Sequence, residues 1–112
     1  MDRYREKLAG HPRVQLLAET PGAVPGWHLF AVLLPDGTRR AVHAALERAG
    51  IRTQVHYIAV NDFPLYRSLG CDPAQTPIAR RAADRLLSLP LFPSLTDDDI
   101  DRVVAALAGA LA

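Results

Sequence analysis

At 112 residues and 12.2 kDa, the chain has the length of one domain with a single core, which is short for a complete enzyme. Its 13 Lys and Arg residues nearly balance its 12 Asp and Glu residues, so charge gives no argument for binding nucleic acid or an acidic membrane. Cys71 is the only cysteine, which excludes an internal disulfide and a cysteine-based zinc cluster. The charged amino terminus and the lack of an apolar run of about 18 residues predict a soluble, cytoplasmic protein.

The first third of the sequence predicts one helix followed by two strands. Residues 2–9 suit a helix that ends at Gly10, and no capping residue precedes it, which suggests the end of a longer helix. Residues 14–19 suit a short strand, and a loop rich in turn residues follows over residues 20–26. Residues 27–34 are apolar on both alternating faces apart from one histidine, a pattern typical of a central strand covered on both sides.

The middle of the sequence predicts a helix and then another strand. The apolar side chains of residues 39–49 fall on one stripe, as in a helix that packs on a sheet, and Gly50 is placed to end it. Residues 51–58 predict a strand that ends in His56 and Tyr57. We expect any chemistry to cluster there and in the Pro-containing loop that follows.

The last part of the sequence predicts two helices joined by an apolar connector. Residues 64–69 suit a helical turn, and residues 76–88 suit a helix that opens on a Thr-Pro pair. Residues 89–95 contain two prolines and predict an extended segment. Thr96 is a suitable cap for a final helix, with the carboxylates of residues 97–99 at its positive end.

Two histidines, His28 and His56, lie in predicted strands. If those strands are neighbours, the two rings form part of a polar pocket; the alternative is that each is a hydrogen-bonded structural histidine. A metal site is disfavoured because no third ligand sits at a recognisable spacing.

The remaining candidates have simpler explanations. His11 and His43 suit a loop and a helix surface, and Cys71 lacks a neighbouring base. The arginine pairs at residues 39–40 and 80–81 suit solvated helix faces, and helix capping accounts for the run of three aspartates. The sequence offers no complete catalytic set.

Four stretches, taken in chain order, resemble one protein family. They are Trp27–Phe30 (W-H-L-F), Gly50–Ile58 (G-I-R-T-Q-V-H-Y-I), the pair Pro64 and Tyr66, and Leu87–Thr96 (L-S-L-P-L-F-P-S-L-T). Over essentially its whole length, the chain resembles the C-terminal small domain of the DegT/DnrJ/StrS-type aminotransferases. These pyridoxal-phosphate enzymes aminate keto-sugars, usually nucleotide-linked, to make amino-sugars.

The resemblance implies an α/β fold, the small domain of a type I, aspartate aminotransferase-like enzyme, with a short sheet of about three strands packed by helices. It also implies a homodimer with active sites at the subunit interface, a nucleotide-sugar substrate and an amino-acid donor. In such enzymes a lysine forms a Schiff base with the cofactor. Lys7, the only lysine, lies in the first predicted helix. We therefore expect residues 1–112 to be one domain that lacks the large cofactor domain, binds no cofactor and is inactive alone.

The same resemblance gives four candidate substrate-binding residues: His56, Tyr57, His28 and Arg52. It implies that His56 hydrogen-bonds sugar or phosphate oxygens, that Tyr57 packs on a ring and that Arg52 offers charge to a carboxylate or diphosphate, with His28 behind them. No catalytic residue, cofactor contact or metal ligand is expected within the chain. Many family members read H-Y-I-P-L-H where this chain reads H-Y-I-A-V-N over residues 56–61, so the shape of the loop is expected to differ.

An alternative function is a free-standing, non-catalytic module that binds a small ligand or a protein through the surface that would face the large domain. A domain separated from its partner is expected to expose an apolar patch, here at the first helix and at residues 89–95. A domain that stands alone is expected to bury these residues or to use them for self-association.

Overall fold

Five α-helices and three short strands form in residues 1–24 and 26–112, the part of the chain that the computed structural model describes. In chain order they are α1 (Asp2–Leu8), β1 (Gln15–Leu16), β2 (Phe30–Leu33), α2 (Arg39–Arg48), α3 (Pro64–Ser68), α4 (Pro77–Arg85), β3 (Leu86–Leu89) and α5 (Asp97–Leu111). Single turns of 3₁₀ helix, Val60–Asp62 and Pro73–Gln75, flank α3. None of the helices in the described ranges is long and apolar enough to span a bilayer.

The three strands form one antiparallel sheet with β2 in the centre. This arrangement confirms the predicted α/β class with a short sheet and the central position of the second strand. Both early strands are shorter than predicted, because β2 covers only Phe30–Leu33 and β1 only Gln15–Leu16. Pro25, inside the predicted loop of residues 20–26, lies outside the described residues.

One face of the sheet carries the hydrophobic core. Phe30 and Val32 of β2 lie opposite Leu89 and Leu87 of β3, and all four side chains are buried. Helices α1, α2 and α5 cover this face with the other large buried side chains, which include Tyr4, Leu8, Val42, Leu46, Ile100, Val103, Leu107 and Leu111. The helices therefore lie on the face that the alternation of the strands makes apolar.

Tyr4 ties the first helix to the core. Its ring stacks on Phe30 with the centroids 4.6 Å apart, and its hydroxyl donates a hydrogen bond to the Pro90 carbonyl oxygen at 3.0 Å. Burial, and secondarily the nearby negative charge of Asp99, raises the pKa of this hydroxyl well above its usual range. The first helix is thus packed into the core.

The predicted helix over residues 76–88 is wrong at its end, since α4 stops at Arg85 and Leu86–Leu89 form β3. The apolar run suits either a helix or a buried strand, and pairing with β2 decides the outcome because it buries Leu87 in the core. Ile78, placed on the predicted inner face, is 85% exposed. The helix does begin after Thr76, although the Thr76 hydroxyl accepts from the Asn61 amide instead of capping the helix.

The predicted strand over residues 51–58 is also wrong, because only Gln54 pairs, in a single antiparallel bridge with Ser88. Continuing this pairing would place Arg52 opposite Pro90, which has no N–H to donate. Ile51 is buried and Arg52 is exposed, so the side chains still alternate between the core and solvent although the segment forms no continuous strand pairing.

The end of α2 and the start of α5 are capped as predicted. Gly50 ends α2 with φ +73°, its N–H donates to Glu47 O at 2.9 Å, and Arg102 Nη2 donates to Ala49 O at 2.7 Å. At the start of α5, the Thr96 hydroxyl accepts from the Asp99 N–H at 3.2 Å and the Asp99 carboxylate accepts from the Thr96 N–H at 3.0 Å.

We expect the same substitution to act in opposite directions at two glycines. Gly50→Ala places a side chain at a positive φ and sets its Cβ 3.4 Å from Arg102 Nη2, so it should destabilise the chain by about 1–2 kcal/mol. Gly109→Ala, in α5 with no atom within 4 Å of the new Cβ, should stabilise by about 0.5–1 kcal/mol. Urea unfolding measures both changes. Shifts of the same sign would contradict the assigned conformation of Gly50.

A second prediction concerns acid stability. Hydrogen bonds from Arg3, at 2.6 and 3.1 Å, hold the pKa of the Asp101 carboxyl below its usual range. A carboxyl with a lowered pKa in the folded state stabilises the fold above its unfolded pKa, and this contribution disappears as pH falls below about 4. Asp101→Asn should therefore lower the melting temperature at pH 7 and reduce its fall between neutral pH and pH 3.

Asp84→Asn is the matched control for Asp101→Asn. It removes an exposed aspartate that makes no ion pair among the described residues. Equal effects of the two substitutions on the pH dependence of melting would show that the Arg3–Asp101 pair does not form.

Candidate functional site

The described part of the chain contains a pocket with a volume of about 520 Å³. It lies between the segment that follows α2, the end of β3 with the connector after it, and the first turns of α5. His28, just before β2, also borders it. Loops that converge beside a rigid sheet are a common setting for a binding site.

His56 and Ser88 form the polar centre of this pocket. His56 Nδ1 lies 2.9 Å from Ser88 Oγ, and Ser88 is only 3% exposed. Both backbone groups of Ser88 bond to Gln54, since Gln54 N–H donates to Ser88 O at 3.0 Å and Ser88 N–H donates to Gln54 O at 2.8 Å. The sheet therefore fixes the position of the histidine.

Two guanidinium groups and one carboxylate supply the charge of the pocket. Arg52 is exposed and makes no ion pair or hydrogen bond with any of the described residues, whereas Arg102 is held by its bond to Ala49 O. The hydroxyl and the N–H of Thr96 hold the pKa of the Asp99 carboxyl below its usual range. At neutral pH the pocket thus contains charged donors beside a carboxylate that helix capping already engages.

The connector after β3 forms an apolar wall. Leu91 and Leu95 are half-buried against the core, and Phe92 exposes half of its surface. The hydrogen bond from Tyr4 to the Pro90 carbonyl anchors the start of this wall. A pocket with hydrogen-bond donors on one side and an exposed ring on the other suits a ligand that is partly polar and partly cyclic.

Three of the four predicted site residues, His28, Arg52 and His56, line this one pocket. Tyr57 does not; its side chain is 71% exposed, and its ring stands edge-on to that of His56 with the centroids 5.2 Å apart. The two histidines are not on neighbouring strands, because β3 lies between β2 and the Gln54 bridge.

Several residues of the site were missed by sequence reasoning. Ser88 was missed because the sequence predicts a helix for its segment. Asp99 and Arg102 were missed because the sequence of α5 indicates only helix capping and packing. His43, expected to have no role, is half-buried with Nδ1 2.6 Å from Thr53 Oγ1. That contact joins α2 to the segment that carries Arg52 and His56.

Exposed apolar side chains do not concentrate where the sequence predicted them. The first helix is packed into the core, so the apolar patch predicted there is absent from the described residues. In the connector Leu89 is buried, and Phe92 is the one large apolar side chain that is exposed. Apart from Leu17, Val24, Trp27 and Phe92, the exposed apolar surface consists of Tyr57, Ile58, Val60, Phe63, Leu65, Tyr66, Leu69 and Ile78. This surface is called the 57–78 surface below.

The residues of the pocket do not fit a cofactor held by a Schiff base. Lys7 lies on α1 with Nζ 3.4 Å from Asp101 Oδ2, and it does not line the pocket. Nor do three His, Cys, Asp or Glu side chains come together as a metal site within residues 1–24 and 26–112. The pocket can bind and orient a ligand through its own side chains, but it contains no amine to form an imine.

Comparison with known proteins identifies relatives of the whole chain. The DegT/DnrJ/EryC1/StrS aminotransferase family matches residues 1–108. The erythromycin biosynthesis sensory transduction protein EryC1 of Saccharopolyspora erythraea is 36% identical, with 96% of this chain and 29% of EryC1 covered. The spore coat polysaccharide biosynthesis protein SpsC of Bacillus subtilis is 32% identical, with 96% of this chain and 31% of SpsC covered.

A solved structure shows the same likeness in three dimensions. The crystal structure of S. venezuelae DesV in complex with a ketimine intermediate superposes with a TM-score of 0.88 at 32% identity, covering 99% of this chain and 30% of DesV. The chain thus spans less than a third of the length of the relatives that it matches. From the family match over nearly every residue, the chain belongs to the DegT/DnrJ/EryC1/StrS aminotransferase family.

Proposed function

We propose that the chain is the C-terminal small domain of a pyridoxal-phosphate-dependent aminotransferase, a cytoplasmic enzyme that aminates a nucleotide-linked keto-sugar in amino-sugar biosynthesis. The observation that carries the proposal is the pocket, which joins His28, Arg52 and His56 beside the apolar wall. Three of the stretches that resemble the family, Trp27–Phe30, Gly50–Ile58 and Leu87–Thr96, contribute residues to it. The part of this chain in the enzyme is to contact the substrate and to pack within the dimer.

The polar side of the pocket suits the oxygens of a nucleotide-sugar. Because Ser88 occupies His56 Nδ1, the other ring nitrogen is left for a sugar or phosphate oxygen. The guanidinium of Arg52, which has no partner among the described residues, suits a diphosphate, since guanidinium groups bind phosphate oxygens through two parallel hydrogen bonds. Tyr57 lies at the rim next to His56, where its exposed ring packs on a ring of the ligand.

The cofactor belongs to another part of the enzyme. Pyridoxal phosphate carries the amino group in aminotransferases. Lys7 pairs with Asp101 away from the pocket, so the lysine that binds the cofactor is proposed to lie outside these 112 residues. The 57–78 surface is proposed to contact the remainder of the enzyme in a homodimer, because an apolar surface of this kind marks an interaction site.

A second function, a non-catalytic module that binds a small ligand or a protein partner, is supported by the same exposed surface. Such a module would use the 57–78 surface for its partner and would need no lysine beyond Lys7. The two functions differ in whether the native polypeptide carries the cofactor.

Titration of the native polypeptide with UDP-glucose and dTDP-glucose tests the proposed substrate site. Arg52→Ala should weaken binding of both ligands about tenfold, because a lost charge-assisted hydrogen bond costs about 1.5–3 kcal/mol in the protein interior and less at an exposed site. His56→Ala should weaken binding to a similar degree.

Arg40→Ala is the matched control, since it removes the same charge from an exposed position on α2 that does not line the pocket. Its affinity for both nucleotide-sugars should equal that of the unmodified protein. Unchanged binding in Arg52→Ala and His56→Ala would refute the assignment of this pocket to the substrate.

A further inference from the structure

Ser88 is a buried polar residue in a strand of large apolar residues. Its neighbours Leu87 and Leu89 point into the core, and Ser88 itself is 3% exposed on the opposite face. A hydroxyl buried at such a position costs free energy unless it makes a hydrogen bond. Among the described residues, its only side-chain hydrogen bond is to His56.

The backbone of Ser88 leaves the hydroxyl free for this one task. Its N–H and C=O are both hydrogen-bonded to Gln54. On the other side, Ser88 lies opposite Ala31 of β2 in a pair that shares no backbone hydrogen bonds, as every second pair in an antiparallel sheet does. The serine oxygen is therefore held at a fixed point relative to two strands. The hydrogen bond between Ser88 Oγ and His56 Nδ1, 2.9 Å long, therefore fixes the position of the histidine ring as well.

We propose that Ser88 is a positioning residue that sets both the orientation and the tautomer of His56. This inference rests on the proposed substrate site. The contact between Ser88 Oγ and His56 Nδ1 fits either direction of donation. We assign the hydroxyl as the donor, with the ring proton on Nε2, because the buried hydroxyl proton would otherwise have no acceptor among the described residues. His56 then offers an N–H to the pocket, and the group that it recognises is an oxygen acceptor such as a keto or phosphate oxygen.

The charged groups around the pocket favour the same ligand chemistry. Arg52 and Arg102 line it as donors, and Asp99 is engaged by Thr96 at the start of α5. Among these described groups, none offers His56 Nε2 an acceptor within hydrogen-bonding distance. A bound ligand can therefore supply this acceptor in place of water.

Nitrogen-15 NMR of the histidine rings tests the proposal without any substrate. In the native polypeptide near pH 8, His56 should be the tautomer protonated at Nε2, and Ser88→Ala should change its tautomer populations while Ser88→Thr restores them. The ring signals of His43, which bonds to Thr53 instead, should not move and serve as the internal control for the fold. A His56 ring protonated at Nδ1 in the unmodified protein overturns the proposal even if no variant folds.

Binding of UDP-glucose gives the second readout. Ser88→Ala should weaken it about fivefold, and the effect should vanish in the background of His56→Ala, because Ser88 acts only through that ring. An equal loss in both backgrounds would overturn the positioning role. If the tautomer changes as expected but UDP-glucose does not bind the unmodified protein, the positioning role stands and the proposed substrate site fails.

Discussion

The single bridge between Ser88 and Gln54 is the constraint on which the pocket depends. It joins the segment after α2 to β3, and through β3 to the rest of the sheet. Pro90 has no N–H to donate, so this pairing does not extend from Gln54 toward Arg52. A full ladder would hold residues 51–58 as a strand, whereas the one-residue bridge anchors them at Gln54 alone, and Arg52 and His56 on either side of it line the pocket.

Packing of the hydrophobic core holds this bridge in place. Leu87 and Leu89 are buried against β2 and the helices, which fixes β3 and therefore Ser88 between them. Tyr4 stacks on Phe30 and bonds to the Pro90 carbonyl, so the apolar wall begins at a fixed point. Packing on one face of the sheet thus positions polar groups at its edge, and the exposed 57–78 surface plays no part in that packing.

Local signals were sufficient for most elements of the fold. The caps at Gly50 and Thr96 and the central strand follow from residue preferences and periodicity, and motif resemblance placed His28, Arg52 and His56 in one region. The strand at Leu86–Leu89 was not predictable from periodicity, because a short apolar run suits a helix equally well. Ser88 was missed for that reason, since its role depends on long-range pairing that no local pattern records.

We propose that this chain shapes the substrate side of an aminotransferase whose cofactor lysine lies outside these 112 residues of the same polypeptide. Borohydride reduces the imine between pyridoxal phosphate and lysine to a stable amine, so treatment of the native polypeptide followed by peptide mass spectrometry locates that lysine. We expect a phosphopyridoxyl group on a lysine outside these 112 residues. A native polypeptide that acquires no such group, or that carries it on Lys7, would contradict the proposal.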